Sequence, residues 1–308
     1  MDIALKVFNQ VAVIFILIAI GFACMKLKWI NKDGVSQLTN ILLSIVTPCV
    51  LIQSYQAKVY TPALATGLLW GALFSVISIL ASTLLSQLIF RKEPTNRYRI
   101  NRFAAVYSNC GFMAIPLLQA VLGADGVFYG SSYLAMFTLL YWTVGVYVFT
   151  EDIRSLSLKN VVLNIGVIAT VVSITLFMTE IKLPSLVMQP IAFMAGLNTP
   201  LAMIILGSYL AGVKFKEIIK NGSLYIVSFL RLLVYPLLSL GICMLLKLDT
   251  GVAQAIMISS ACPTAAVTTL FAVRFKLDAE YSAQIVSATT LLSIITIPIV
   301  MLIMGYVY

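Results

Sequence analysis

The hydrophobic positions of this chain fall into long unbroken runs, without the alternation of a surface strand or the striped face of a surface helix. Apolar helices are predicted at 7–27, 35–54, 63–90, 103–121, 126–150, 161–179, 187–211, 223–247, 251–275 and 279–305, ten in all. Each run is close to the ~20 residues that one helix needs to cross a bilayer, and the polar segments between them are short. The first run, from Val7 to Leu27, meets no charge before Lys26. It lacks the short apolar core and small-residue cleavage site of a signal peptide, so it is read as a helix that stays in the protein.

Composition sharpens this into a class. The 308 residues are 61% hydrophobic and 10% charged, with a mean hydropathy of +1.03, where a soluble domain holds about 45–50% apolar and about 25% charged residues. An all-α integral membrane protein is expected, with no room for a soluble catalytic domain. The net charge of +9 would point to nucleic acid in a soluble protein. In a membrane protein such an excess gathers in cytoplasmic loops. Lys6, Lys58, Lys182 and Lys247 follow the amino terminus or even-numbered runs, and Arg231 lies inside a run. The other fifteen of the 20 basic residues follow odd-numbered runs. Those loops are therefore predicted to be cytoplasmic, with both termini on the far side of the membrane and no nucleic-acid partner.

Two landmarks recur at one spacing. Thr47-Pro48 in the second run and Thr199-Pro200 in the seventh stand 152 residues apart, and Asp125 and Asp278 stand 153 apart. The same offset sets Asn109 opposite Cys262, beside Pro263. Two copies of a five-helix unit are expected, 1–153 and 154–308. Because five is odd, the second copy enters the membrane from the opposite face. Inverted repeats of this kind are typical of secondary transporters, whose substrate sites lie near the midplane where helices are broken.

Candidate chemistry sits at two such breaks. A proline removes a helix hydrogen bond and crowds the preceding turn, and the freed groups in a membrane must find protein, water or ligand. The string Ser108-Asn109-Cys110-Gly111-Phe112-Met113-Ala114-Ile115-Pro116 places an amide, a glycine and a proline in mid-span. Its counterpart, Ser259-Ser260-Ala261-Cys262-Pro263-Thr264, is small and polar around its proline. Two facing broken helices would present main-chain N–H groups and partial positive charge to an anion. The alternative is a pair of plain proline kinks packed by small residues.

These segments carry a resemblance. Asn109-x-Gly111-Phe112-x-x-Ile115-Pro116, the stretch from Leu197-Asn198-Thr199-Pro200-Leu201-Ala202 to Gly207, and Cys262-Pro263-Thr264-Ala265 followed by Asp278 and a Ser/Thr-rich last helix resemble the auxin efflux carrier family. By size and lack of a central loop, the chain is similar to its bacterial members, described as malate or dicarboxylate permeases. The resemblance implies a five-plus-five fold with the fourth and ninth helices crossing at their breaks. It implies a scaffold of helices 1, 2, 6 and 7 and a moving part of helices 3–5 and 8–10. It also implies that Asn109 contacts a substrate carboxylate and that Pro263 shapes the second crossover. Ser108, Cys110, Gly111, Cys262 and Thr264 would surround the substrate, and from the repeat Thr47, Pro48, Asn198, Thr199 and Pro200 would form the facing scaffold wall. The plant carriers have proline where Ser108 stands, so a softer break in the fourth helix is expected.

The charges exclude some mechanisms. All 11 acidic residues lie in or beside predicted loops, and there is no histidine. Proton relays and many cation sites at the midplane use intramembrane Asp, Glu or His, so coupling through a titrating core carboxylate is disfavoured. Sodium bound by neutral oxygens stays open, since hard cations accept them. No metal centre and no cofactor are expected, and an intramembrane enzyme is disfavoured by the same shortage of catalytic groups. Arg231 is a candidate anion contact or gate, or else an anchor whose long side chain snorkels to the surface. Cys24, Cys49, Cys110, Cys243 and Cys262 show no Cys-x-x-Cys spacing and read as packing residues. The expected partners are a small organic anion and the lipid bilayer. Assembly as a homodimer stays open, as does a passive anion pore of the same fold in place of a carrier.

Overall fold

The computed structural model describes residues 2–155, 159, 162–212 and 222–308, with only the main chain described for 2–8 and 11. Among the described residues every regular element is helical. The principal helices are α1 (Asp2–Lys26), α2 (Lys32–Gln56), α3 (Pro62–Ile89), α4 (Arg97–Val106), α5 (Cys110–Thr150) and α6 (Ile165–Met178). They continue as α7 (Ser185–Ala211), α8 (Gly222–Leu245), α9 (Thr250–Ala261), α10 (Val267–Arg274) and α11 (Ala279–Val307). Six of them, α2, α3, α5, α7, α8 and α11, are long and apolar enough to cross a membrane.

Local chemistry explains where the helices begin and end. Asn31, Thr61, Asn164, Asp249 and Asp278 each turn a side-chain oxygen onto a first-turn N–H of the helix that follows, satisfying donors that a helix start leaves free. At the other ends, Lys28, Glu151, Glu180, Lys247 and Lys276 adopt the left-handed conformation with φ between 49° and 60°. Glycine usually ends helices this way. Here charged side chains do so, at positions where they can stay in water.

Three prolines, Pro48, Pro116 and Pro236, are absorbed into the helices rather than allowed to break them. The carbonyls four residues before Pro48, Pro116 and Pro236 belong to Ser44, Phe112 and Leu232. Each sits at the centre of a five-residue widened turn, Leu42–Val46, Cys110–Ala114 and Leu230–Val234. Widening moves the crowded carbonyl away from the proline ring while the helix continues.

The helices pack in two groups, here called bodies, which also touch each other where α1 meets α11 and α2 meets α5. α1 lies against the second half of α7, and the first half of α7 and α6 lie against α2. The remaining helices, α3–α5 and α8–α11, form the second body, centred on contacts of α5 with α3 and α9. In the first body α1 and α7 touch backbone to backbone. A Cβ on Gly207 would fall 1.9 Å from the carbonyl oxygen of Ile18, and one on Gly21 would fall 2.2 Å from that of Ile204. Small residues at crossings are what lets membrane helices gain dispersion contact. In the second body, buried hydroxyls join the helices: Ser78 of α3 bonds Ser239 of α8, and Ser86 bonds Tyr235.

Charged groups collect at two opposite sets of loops. At one, Lys92, Arg99 and Arg102 surround Glu151 at 3.2, 3.1 and 3.7 Å, and Arg97 pairs with Asp278 at 2.7 Å. Partial burial pushes the Glu151 carboxyl up, but hydrogen bonds from Lys92 and Tyr98 and the charges of Arg99 and Lys92 outweigh this and hold it below its ordinary range. At the other set Lys58 pairs with Asp125, and Lys182 donates to the carbonyls of Gln56 and Lys58. Lys214, Lys216 and Lys220 lie outside the described residues, as does residue 161, where the sixth run was expected to start.

Three boundaries differ from the sequence reading. The run 103–121 is α4, a non-helical stretch at 107–109, and then the start of α5. The run 251–275 is α9 and α10, separated by Cys262–Ala266. Hydropathy sees a continuous apolar segment in both cases, because the groups that interrupt the helices are main-chain ones. The run 126–150 continues back across Ala124 and Asp125 to α5's first half. Forty-one residues of helix would reach about 60 Å, and the chain relieves this at Gly123, whose φ of 64° and ψ of −148° no helical residue adopts.

Candidate functional site at two broken helices

α4 stops at Val106 and α9 stops at Ala261, both inside the protein. The extended segments that follow cross each other as a miniature antiparallel pairing. Ser108 lies opposite Thr264, the N–H of Asn109 donates to the Pro263 carbonyl at 2.7 Å, and the N–H of Ala265 donates to the Tyr107 carbonyl at 2.9 Å. Backbone groups freed by breaking two helices thus satisfy each other, as a membrane interior demands. The interruption spans three residues without a proline at that position, because the partner segment, opened by Pro263, supplies the bonds.

The last four carbonyls of α4 are all accounted for. Phe103 accepts from the N–H of Tyr107 at 2.9 Å, and Ala104 accepts from the Thr264 hydroxyl at 2.9 Å. Ala105 and Val106 both accept from one guanidinium nitrogen of Arg231. The other terminal nitrogen of Arg231 donates to the Ser260 carbonyl at the end of α9. Arg231 is 2% exposed, so the snorkelling anchor is set aside: its side chain runs inward to two helix ends.

The structure brings together the sequence-predicted residues of both breaks. Ser108, Asn109, Cys110, Cys262 and Thr264 are all buried at the crossing with Pro263 among them. Gly111 opens α5, where a Cβ would meet only Leu134 at 3.9 Å, so packing leaves room beside Asn109. Thr47 and Pro48 lie on α2, and Asn198, Thr199 and Pro200 begin the second half of α7. That half of α7 packs against both Cys110–Ala114 and Leu42–Val46. The buried polar atoms without a hydrogen-bond partner among the described residues include Asn109 Nδ2 and Arg231 Nε at the crossing, Asn198 Oδ1 and Thr47 Oγ1 on the facing helices, and Thr268 Oγ1 of α10. Native proteins leave few such groups unexplained, and a ligand or water is the usual answer.

Sequence reasoning missed several members of this region. Thr289 of α11 accepts from the Thr264 N–H at 3.2 Å, and Tyr133 of α5 lies 3.4 Å from the Ser108 hydroxyl. The hydroxyl-rich last helix was a signal for Thr289. Tyr133 was hidden among its aromatic neighbours Phe128, Tyr129, Phe137 and Tyr141. A cavity of about 190 Å³ opens at the loop set carrying Lys58 and Lys182. Tyr55 and Phe177 line it, and both rings also contact Phe128 of α5.

A family model described as membrane transport protein matches residues 6–161 and 149–301. An "Uncharacterized transporter" of Methanothermobacter thermautotrophicus is 22% identical over 307 residues, covering 93% of this chain and 94% of the relative. Both bear out the resemblance to auxin efflux carriers read from the motifs.

Proposed function

Because this chain belongs to the auxin efflux carrier-like membrane transport family, we propose that it is a secondary transporter of small organic anions that works by alternating access. The substrate carboxylate, of malate-like or auxin-like size, is held at the crossing of the two broken helices. The observation that carries this reading is Asn109. Its amide nitrogen is buried and unpartnered, beside the N-terminus of α5 and room left by Gly111. An amide donor next to a half-helix N-terminus suits a carboxylate, since both present N–H groups and partial positive charge. Asn198 and Thr47 face the site from the other body.

Ten spans in a five-plus-five inverted repeat complete the reading, with α4 and the first half of α5 forming the fourth span and α9 with α10 the ninth. The loop pairings support it. Lys58, Asp125 and Lys182 follow the second, fourth and sixth spans and meet at one set of loops. Arg97, Glu151 and Asp278 follow the third, fifth and ninth and meet at the other. The positive-inside rule assigns the second set to the cytoplasm, placing both termini outside the cytoplasm and the protein in the plasma membrane, the inner membrane of a bacterium. α1, α2, α6 and α7 are the scaffold, and the second body moves.

Uptake into proteoliposomes tests this against the passive pore. A carrier shows saturable malate or indole-acetate flux that is stimulated by substrate on the far side. Flux linear in concentration with single-channel currents overturns the carrier. A thermal-shift screen of the purified protein against mono- and dicarboxylates, with and without sodium, identifies the anion.

A further inference from the structure

Arg231 is the largest of the fully buried side chains among the described residues, and a carboxylate contact at Asn109 leaves it without a role. A buried charge costs several kcal/mol unless it is compensated, and the usual compensation is a carboxylate. Among the described residues no carboxylate forms an ion pair with it: Lys58–Asp125, the Glu151 cluster and Arg97–Asp278 lie at the two sets of loops. The titratable groups around it are Tyr133 of α5, Tyr235 on its own helix, and Cys110 and Cys262 at the two breaks. All are neutral at physiological pH by their ordinary values.

What Arg231 touches instead is main chain. Three carbonyls accept its two terminal nitrogens, two from the last turn of α4 and one from the last turn of α9. A helix C-terminus carries about half a negative charge, so two of them meeting at one point amount to roughly one. One guanidinium balances them. Its planar fork also fits the task, since it donates to both ends at once where a point charge would serve one.

We propose that Arg231 is the counter-charge of the crossing, a positioning residue that fastens the carbonyl ends of α4 and α9 to α8 and thereby holds Asn109 and Pro263 in register, without itself touching substrate. The transport role of Asn109 rests on the reading above; the charge balance does not. Both halves of the site then move as one piece with α8, because separating either end from Arg231 would leave a buried charge half compensated.

The test uses purified full-length Arg231→Met, Arg231→Gln and Arg231→Lys proteins. Melting temperatures are compared at about pH 6 and about pH 9, on either side of neutrality. The methionine and glutamine variants are expected to melt at least ~6 °C below the parent, as loss of a compensating partner in a buried site implies. The lysine variant should recover most of that loss, with the same melting temperature at both pH values. A site that favours a cation keeps the lysine pKa at or above its unfolded value of about 10.4, so its stabilising effect lasts until pH rises past that range. A methionine variant as stable as the parent overturns the proposal. So does a lysine variant that gains stability toward pH 9, because that marks a site preferring the neutral amine. Should the methionine variant fail to fold, the lysine protein carries the test. In proteoliposomes loaded with radiolabelled malate, the lysine variant is expected to lose maximal rate while KM stays within ~2-fold. A KM raised ~10-fold at unchanged maximal rate would show direct substrate contact instead. If the parent transports no carboxylate, the functional reading fails and the melting series still decides the role of Arg231.

Discussion

The main-chain N–H of Asn109 donates to the carbonyl of Pro263 at 2.7 Å, joining residues that are 154 positions apart in the chain. Neither break would be stable alone, since an interrupted helix in an apolar interior strands its own backbone groups. Together they form one joint, in which each broken end is completed by the other. The side chain of Asn109 is left over from this exchange, with its amide nitrogen unpartnered.

That surplus predicts a functional loss separable from folding. Asn109→Ala removes an unpaired group, so the melting temperature should stay within a few degrees of the parent while carboxylate uptake is abolished. Asn109→Asp places a negative charge where a carboxylate would bind and should be at least as inactive at neutral pH. Thermal-shift binding and proteoliposome uptake read the two effects separately. Unchanged substrate affinity in the alanine variant would remove Asn109 from the site.

The Thr264 hydroxyl should behave in the opposite way. It is fully buried and caps the Ala104 carbonyl at 2.9 Å, so Thr264→Val keeps the shape and orphans an acceptor at the end of α4. Such a loss costs about 1–3 kcal/mol. A lowered melting temperature is expected in the detergent-purified variant even when no substrate is present. A Thr264→Ser protein, which keeps the hydroxyl, should lie between the two. Equal stability of valine variant and parent would show that the cap contributes nothing.

Much of this was legible in the sequence, and the exceptions share one cause. Apolar runs marked the helices because burial in lipid needs side chains that can be counted, and Asn109, Pro116 and Pro263 marked the breaks because amide and proline punctuate a helix. What side chains do not encode was lost. The non-helical stretch at Tyr107–Asn109 contains no proline or glycine, and main-chain groups of Pro263 and Ala265 bond to it. The destination of Arg231 was equally hidden, since its partners are carbonyls that every residue possesses. Gly21 and Gly207 are ordinary glycines in a list of 17 until two backbones are seen to touch.

That last contact makes a sharp prediction. Gly207→Ala drives a methyl to within 1.9 Å of the Ile18 carbonyl, backbone against backbone, so α1 and α7 must separate. Overpacking of this kind costs about 1–3 kcal/mol. Gly241→Ala in α8 is the control, as a Cβ there meets nothing within 4 Å and alanine is the better helix former. Size-exclusion profiles and melting curves should show loss of folded protein for the first variant and parental or higher stability for the second. A Gly207→Ala protein that melts like the parent would mean the two helices can part freely.

The Glu151 cluster gives a pH dependence with a defined sign. Its carboxyl lies below the ordinary range in the folded protein, while in the unfolded chain it titrates near pH 4.3, roughly. The stabilisation is therefore present above that unfolded value and is lost as pH falls through the folded one. Glu151→Gln should be less stable than the parent at neutral pH, and the gap should close on acidification. Parallel melting curves of the two proteins across that range would show that Lys92, Arg99 and Arg102 gain nothing from the charge.

At the opposite loops the two bodies are fastened to each other. The Ser54 hydroxyl of α2 donates to the Ala124 carbonyl at 2.8 Å, Tyr55 bonds Ser131 at 2.6 Å, and Lys58 pairs with Asp125. Beneath them Tyr55 of α2 and Phe177 of α6 close on Phe128 of α5, with ring centres 4.7 and 5.2 Å from it. A carrier must part these contacts in every cycle if the second body moves against the first, whereas a pore with fixed walls need not. In a Lys58→Cys, Asp125→Cys protein, a short bifunctional methanethiosulfonate should therefore stop substrate exchange across proteoliposomes, and reducing agent should restore it. The parent and each singly substituted protein, treated alike, should keep their flux. Undiminished exchange in the cross-linked double variant would show that this end stays closed throughout transport, and that the two bodies do not rock about the crossing of Asn109 and Pro263.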